Sequence, residues 1–368
     1  MSDRITLEPH SPDWATRFQT VKAQLLEVLG RTGHGGAVWS CTHVGSTAVP
    51  GLLAKPVVDV CVEVYPESLN EAQIGALERL GFAYKGEAGV PGRQFFRDDP
   101  RTVHIHVYTL DSEEPVNHWL FRDYLTTHPE HAVRYAALKT ELAARHGDDR
   151  EAYTLGKQGF IQETLALARH WWLEEIAFQP VLEVAALFEG TNFEWVIGAG
   201  WALDLWLERV GRYHHDVDVL AWRDEQLKLR THLLELGFTP YITRDGVYEP
   251  WLEGTRLELP LFQIHAYRGD ERLDVMLMDR DDLEWIFRRD PSVRRELHRA
   301  TLETAQGIHV LAPEIVLLFK SRSGAIEPRG KDAQDFERTV NRLTPERRAW
   351  LHSALLHTRP DHPWLQVL

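Results

Sequence analysis

A chain of 368 residues is long enough for two domains, each with its own core. With 43% hydrophobic and 26% charged residues it has an ordinary globular composition, and no apolar run is long enough to cross a bilayer. A net charge of −14 argues against a protein that coats nucleic acid, because phosphate binding needs clustered Lys and Arg. The start, MSDRITLEPHSP, lacks the apolar core of a secretory signal, and Cys41 and Cys61 show no metal-type spacing. Buried thiols in a cytoplasmic protein are the expectation.

The spacing of Trp14, Phe18, Val21, Leu25 and Leu29 predicts a helix over 13–29. A strand over 38–44 runs into the turn Gly45-Ser46, and a second strand over 55–63 places Asp59, Cys61 and Glu63 on one face. A helix over 69–80 follows, then a strand over 102–108 with His104 and His106 on one face. From 117 to 172 the periodicity is helical, broken near Pro129 and Gly147. Asp59 with two His would suit Zn, Mn or Fe, since imidazole prefers these to Mg. The same residues could instead bind an anion, with Lys55, Arg122, Lys139 and Lys157 as a rim, although such charges on long helices are usually solvated.

The second half opens on a short strand, Trp195-Val196-Ile197, that ends in Gly198-Ala199-Gly200. A helix over 201–210 and an alternating strand, Asp216-Val217-Asp218-Val219-Leu220, come next. Alternation puts Asp216 and Asp218 on one face, where they repel unless a cation sits between them; hard oxygen ligands suit Mg²⁺. Further on, helix 225–236, short strand-like runs between 241 and 267, and a strand over 272–278 carrying Asp274 are expected. The stretch 283–287 has no readable period. A strand over 308–313 feeds a helix over 314–321, and helices over 329–343 and 345–356 close the sequence. Each half thus has a strand, a Gly-small turn, an acidic strand and a helix ending in Leu-Gly-Phe, as in a tandem duplication or fusion with its boundary near 173.

Gly198-x-Gly200-Trp201-Ala202-x-Asp204 and His215-Asp216-x-Asp218 resemble the nucleotidyltransferase fold, and within it the aminoglycoside 2''-adenylyltransferase-like group. Leu273-Asp274-Val275-Met276, Pro313-Glu314-x-x-Leu317-Leu318-x-Lys320 and Arg329-x-Lys331-Asp332-x-x-Asp335-Phe336 fit the same group. In the first half, His43-Val44-Gly45-Ser46-Thr47-Ala48-Val49-Pro50-Gly51, Lys55-Pro56-x-x-Asp59 and His104-x-His106 resemble the GrpB-like family, also placed in that fold. So do Phe121-Arg122-Asp123-Tyr124-Leu125, His128-Pro129 and Tyr153-x-x-x-Lys157.

These resemblances imply an α/β (α+β) chain of two tandem nucleotidyltransferase-fold domains, 1–172 and 173–368, each a small mixed sheet flanked by helices. The second would move a nucleoside monophosphate, AMP from ATP, onto a hydroxyl of a small, aminoglycoside-like acceptor and release pyrophosphate. Asp216, Asp218 and Asp274 would hold Mg²⁺, with Asp274 also accepting the hydroxyl proton. Gly198 and Gly200 would bring backbone N–H groups to phosphate. Asp204 would orient substrate or else cap the turn or pair with Arg212; Lys320 and Lys331 would neutralise the triphosphate, and His214 and His215 could contact nucleotide. In the first domain Gly45, Ser46 and Lys55 would be the phosphate-contacting set, and Cys61 stands where a second Asp is expected. The alternatives are a nucleotide- or metabolite-binding regulatory protein without turnover, and a hydrolase or phosphotransferase at Asp59/His104/His106.

Overall fold

The computed structural model describes residues 4–30, 36–65, 67–109, 112–214, 216–244, 247–269, 271–321 and 330–368. The chain divides into two compact units, Met1–Glu174 and Glu175–Leu368.

In the first unit α1 (Asp13–Leu29) buries Trp14, Phe18, Val21, Leu25 and Leu29, the stripe its 3.6-residue period dictates. Each such side chain contributes about 1.5–3 kcal/mol on full burial. β1 (Val38–Val44) leads through a short 3₁₀ turn to β2 (Val58–Val64), then α2 (Glu71–Arg79), β3 (Ala83–Tyr84), β4 (Gln94–Arg97) and β5 (Val103–Thr109). α2 is started by a capping box between Asn70 and Gln73. The helices α3 (Glu114–Thr127), α4 (Pro129–His146), α5 (Arg150–Leu155) and α6 (Gln158–Trp171) follow. Proline at the first position of α4 marks the break, since it lacks the N–H that a continuing helix would need. The sheet order is β1-β2-β5-β4-β3, with β2 and β5 parallel and the other pairs antiparallel. Val58, Val60, Val62, Ile105 and Val107 of the two central strands pack with the α1 stripe in one core.

The second unit runs α7 (Gln179–Leu187), β6 (Trp195–Ile197), α8 (Ala199–Trp206), β7 (Asp218–Trp222) and α9 (Gln226–Glu235). Strands β8 (Thr239–Arg244), β9 (Val247–Pro250), β10 (Gln263–Arg268), β11 (Glu271–Arg280), β12 (Glu284–Ile286) and β13 (Arg294–Glu296) follow. The chain ends through α10 (Leu297–Ala300), β14 (Thr301–Glu303), β15 (His309–Leu311), α11 (Pro313–Lys320), α12 (Gly330–Val340) and α13 (Pro345–Thr358). Its sheet order is β14-β15-β6-β7-β11-β10-β8-β9, with β12 and β13 continuing off β11. The mixed sheet flanked by helices agrees with expectation, and it has ten strands.

The two sheets share a four-strand centre. β1-β2-β5-β4 and β6-β7-β11-β10 have the same order and the same antiparallel, parallel, antiparallel senses. A left-handed residue follows the first strand in each, Gly45 (φ 72°) and Ala199 (φ 47°). The residue before it faces the acid strand: Val44 opposite Asp59, and Gly198 donating its N–H to the Asp218 carbonyl at 2.8 Å. Asp59 is therefore the counterpart of Asp218. This corrects the reading that Cys61 fills the place of the second acid. Asp216 lies two residues before β7, outside the regular strand, and its carboxyl still meets Asp274 and Arg272.

Candidate active site

Asp218 and Asp274 stand side by side, in register on the parallel strands β7 and β11. Asp216 enters from the loop before β7, and its carbonyl accepts the Trp201 indole N–H at 3.0 Å, tying the acid to the first turn of α8. Asp274 is buried (4% exposed) and both its oxygens are engaged. His265, its register partner on β10, lies at 2.5 Å from Oδ1, and Arg272 donates to Oδ2 at 2.7 Å. The same Arg272 nitrogen is 3.7 Å from Asp216. Tyr248 stacks on His265, with ring centroids 4.8 Å apart.

Electrostatics divide the three acids. Burial, then Asp216 and Asp274, push the Asp218 carboxyl well above the usual carboxylate range. Burial and Asp274 also raise Asp216, with Arg272 and Lys331 opposing. Burial acts on Asp274 in the same sense, but Arg272 and His265 outweigh it and hold that carboxyl low. An acid cluster short of positive charge, made of hard oxygen donors, has the chemistry that fits Mg²⁺.

Several residues expected at this site do other things. Asp204 is fully buried, bonded to His214 Nε2 at 2.7 Å and the Gly211 N–H at 3.1 Å, and paired with Arg338. Its carboxylate is spent inside the protein, and its cation is Arg338 rather than Arg212. The Lys320 ammonium is paired with Asp335 at 2.7 Å and Asp332 at 3.1 Å, and from there its charge also acts on Asp218. Gly198 uses its N–H on Asp218, so it cannot offer it to phosphate. Gly200 lacks a side chain for a packing reason: a Cβ there would lie 2.4 Å from His214 and 2.6 Å from Arg212. Lys331 lies close enough for its charge to act on Asp216. His214 is buried against Trp201, and burial lowers its pKa to about 4, so it is neutral. His215 and Arg329 lie outside the described residues. The helix expected over 201–210 ends at Trp206.

His265 and Arg272 were not singled out by sequence. The available signal was period 2: Arg272 and Asp274 are two apart on one strand and share a face. A cleft of about 760 Å³ bordered by Leu182, Trp195, Arg280 and His309 contains none of the three acids and is not the chemical centre.

In the first unit, Asp59 and His104 are in register on β2 and β5, and His104 occupies the place of Asp274. Asp59 Oδ1 is 3.2 Å from His104 Nδ1 and 3.3 Å from His106 Nε2. Burial opposes ionisation of Asp59, but hydrogen bonds from both imidazoles hold its carboxyl well below the usual range. The left-handed Gly45 lets the turn close on this carboxylate, since a Cβ would fall 2.5 Å from Asp59 Oδ2. Among the described residues this is the one trio of His, Cys or acid whose ligand atoms lie within 4.8 Å of one another.

Proximity suits a metal; protonation is set against it. Arg93 lies 3.1 Å from His106 Nδ1, and its guanidinium is anchored on the Glu87 and Ala88 carbonyls. Arginine only donates, so Nδ1 accepts and the proton sits on Nε2, the nitrogen aimed at Asp59. A protonated nitrogen cannot ligate a metal. Arg93→Met should therefore tighten Zn²⁺ or Mn²⁺ binding by about tenfold or more, the lower end of outer-sphere effects on metal sites. Titration of the full chain, with Arg93→Met/His104→Ala as control, measures this. Equal affinity in wild type and Arg93→Met would show that Arg93 sets no tautomer. Arg122, expected on an anion rim, instead donates to the His43 carbonyl at 3.0 Å and to Asp123 at 2.7 Å.

Residues 4–167 match the family model described as GrpB protein. A Pseudomonas aeruginosa relative, UPF0157 protein PA4798, is 37% identical over 172 residues, covering 45% of this chain and 68% of its own. The chain belongs to the GrpB family. UPF0157 protein YqkA of Bacillus subtilis is 34% identical over 170 residues, covering 46% of this chain; the match spans 48% of that relative's length. Beyond the GrpB unit, residues 180–336 match the aminoglycoside-2''-adenylyltransferase family model. The crystal structure of ANT(2")-Ia in complex with adenylyl-2"-tobramycin is 19% identical, covering 50% of this chain and 98% of its own, with a TM-score of 0.36. Among the described residues no helix is long and apolar enough to cross a membrane.

Proposed function

We propose that the second unit transfers a nucleoside monophosphate, AMP from ATP, to a hydroxyl of a small molecule. The observation that carries this reading is the side-by-side placement of Asp218 and Asp274 with Asp216 beside them, at a turn into a helix. The family match over 180–336 supports the reaction class.

Asp216 and Asp218 would hold the divalent cation, which supplies charge stabilisation on the phosphates when bound. The first turn of α8 has N–H groups without intrahelical acceptors, and Lys331 adds positive charge near Asp216; both favour a polyanion. Asp274 is the proton acceptor for the attacking hydroxyl. For this, Arg272 has to leave Oδ2, and Asp216 is the second carboxylate within its reach. The acid-rich site favours a cationic acceptor of the aminoglycoside type.

The test is incubation of the full chain with each NTP, Mg²⁺ and a panel of hydroxylated cationic and neutral acceptors, reading pyrophosphate release and product mass. Acceptor-dependent pyrophosphate with ATP is expected. Nucleotide binding without any turnover across the panel would replace the transferase by a regulatory nucleotide-binding protein.

A further inference from the structure

Three lysines of the GrpB unit converge where the sequence predicts solvated surface. Lys139 on α4 is buried (2% exposed), and Lys55 and Lys157 are half-buried. The Lys55 and Lys157 ammonium groups lie 4.9 and 4.7 Å from the ring centroid of Tyr153, and that of Lys139 lies 4.5 Å from the ring of Tyr135. Lys139 also donates to the Leu53 carbonyl. The Tyr135 hydroxyl bonds the side chain of Ser46 in the Gly45-Ser46 turn, so the lysines sit beside the Asp59 centre.

Among the described residues their charge is only partly compensated, by Asp59 acting on Lys55 and Lys157. Among the described residues none of the three ammonium groups has a carboxylate within salt-bridge distance, whereas buried Lys320 has two. Aromatic faces and one carbonyl offset only part of the cost of withdrawing a cation from water. Burial, then Lys157 and Lys55, lower Lys139 to about 7; burial, then Lys55, lower Lys157 to about 8. Asp59 is the acid that acts on Lys55 and Lys157, and it is already hydrogen-bonded to two imidazoles. Three cations held together in a half-buried place, with one carboxylate nearby that is already engaged and none within salt-bridge distance among the described residues, leave positive charge for a multiply charged anion.

We propose that Lys55, Lys139 and Lys157, with Ser46, form a binding site for an oligophosphate chain in the GrpB unit. Three converging ammonium groups match successive phosphates better than a single small anion, and the tyrosine faces fix their directions. The site is independent of the transfer reaction assigned to the second unit.

The experiment uses the full chain carrying Asp216→Asn and Asp218→Asn, so that the second unit's acid site is silenced. Tripolyphosphate and ATP are titrated separately by calorimetry. Saturable binding of tripolyphosphate is expected, weakened about tenfold or more by Lys55→Ala and by Lys157→Ala, and within about threefold of the parent in Lys157→Arg. The melting temperature of each variant, measured without ligand, identifies any that fails to fold; Lys157→Gln then replaces Lys157→Ala. ATP tighter than tripolyphosphate by more than about tenfold would identify a nucleotide as the source of the chain, and equal affinities an inorganic one. Absence of saturable binding of either up to about 1 mM, or affinities unchanged in the folded Lys→Ala variants, would overturn the proposal.

Discussion

Asp218→Asn should abolish nucleotide transfer and leave the second unit at least as stable as before. Asp218 is in register with Asp274, and burial with Asp216 and Asp274 drives its carboxyl well above the ordinary range. The ionised form is thus opposed by the fold itself, and a cation is what would make it favourable. An amide at this position removes the repulsion but also the charge that holds the cation. Losing one preorganised electrostatic group at a reacting centre typically costs about 10²–10³ in rate. Stability should move in the opposite sense, because a neutral amide relieves two like-charge contacts. Pyrophosphate release and thermal unfolding of the same preparation make the comparison. More than about a tenth of wild-type turnover in Asp218→Asn would remove this residue from the acid set, and a melting temperature lowered by several degrees would make it structural.

Asp335→Asn should have the opposite profile, a large loss of stability. Asp335 on α12 is fully buried and meets Lys320 at 2.7 Å, Arg338 at 2.8 Å and Arg212 at 3.1 Å. Arg338 continues to Asp204, which also accepts from His214 and Gly211, so one network joins α8, the loop after it, α11 and α12. Removing one partner of a buried ion pair costs about 3–5 kcal/mol, mainly because the remaining charge is left uncompensated. In a unit of this size that is a drop of about 6–20 °C in its melting. Burial opposes ionisation of Asp335, but Lys320, Arg212 and Arg338 win and hold its carboxyl far below the usual range. A depressed carboxyl contributes stability above its unfolded value, about 3.9, and loses it as pH falls toward the folded value. The difference between wild type and Asp335→Asn should therefore be full at pH 7 and shrink below about pH 4. A difference under about 1 kcal/mol at pH 7 would mean that the network is worth no more than a surface pair.

Local pattern carried much of the architecture. The stripe of α1 and the strand β1 have the bounds their periodicity predicts, because long amphipathic segments bury one face wherever the chain places them. The short strands escaped notice: β3 with two residues, β4 with four and β12 with three are too brief to show a period. The acids Asp59, Asp216, Asp218 and Asp274 were legible from sequence, since a carboxylate at a glycine turn or within an apolar strand needs a chemical reason. Their environment was decided by tertiary structure. Register across β7, β11 and β10 places His265 and Arg272 on Asp274, and the loop before β4 places Arg93 on His106. Arg212 and Asp335 are 123 positions apart, and Lys139 and Leu53 are 86 apart. No local rule says which lysine finds two carboxylates and which is left among tyrosines. By itself the sequence determined the elements and the candidate acids, because periodicity and residue chemistry are local. The fold alone decided which charges are spent on structure and which remain for a ligand, because Coulomb energy and desolvation depend on distances that only packing sets.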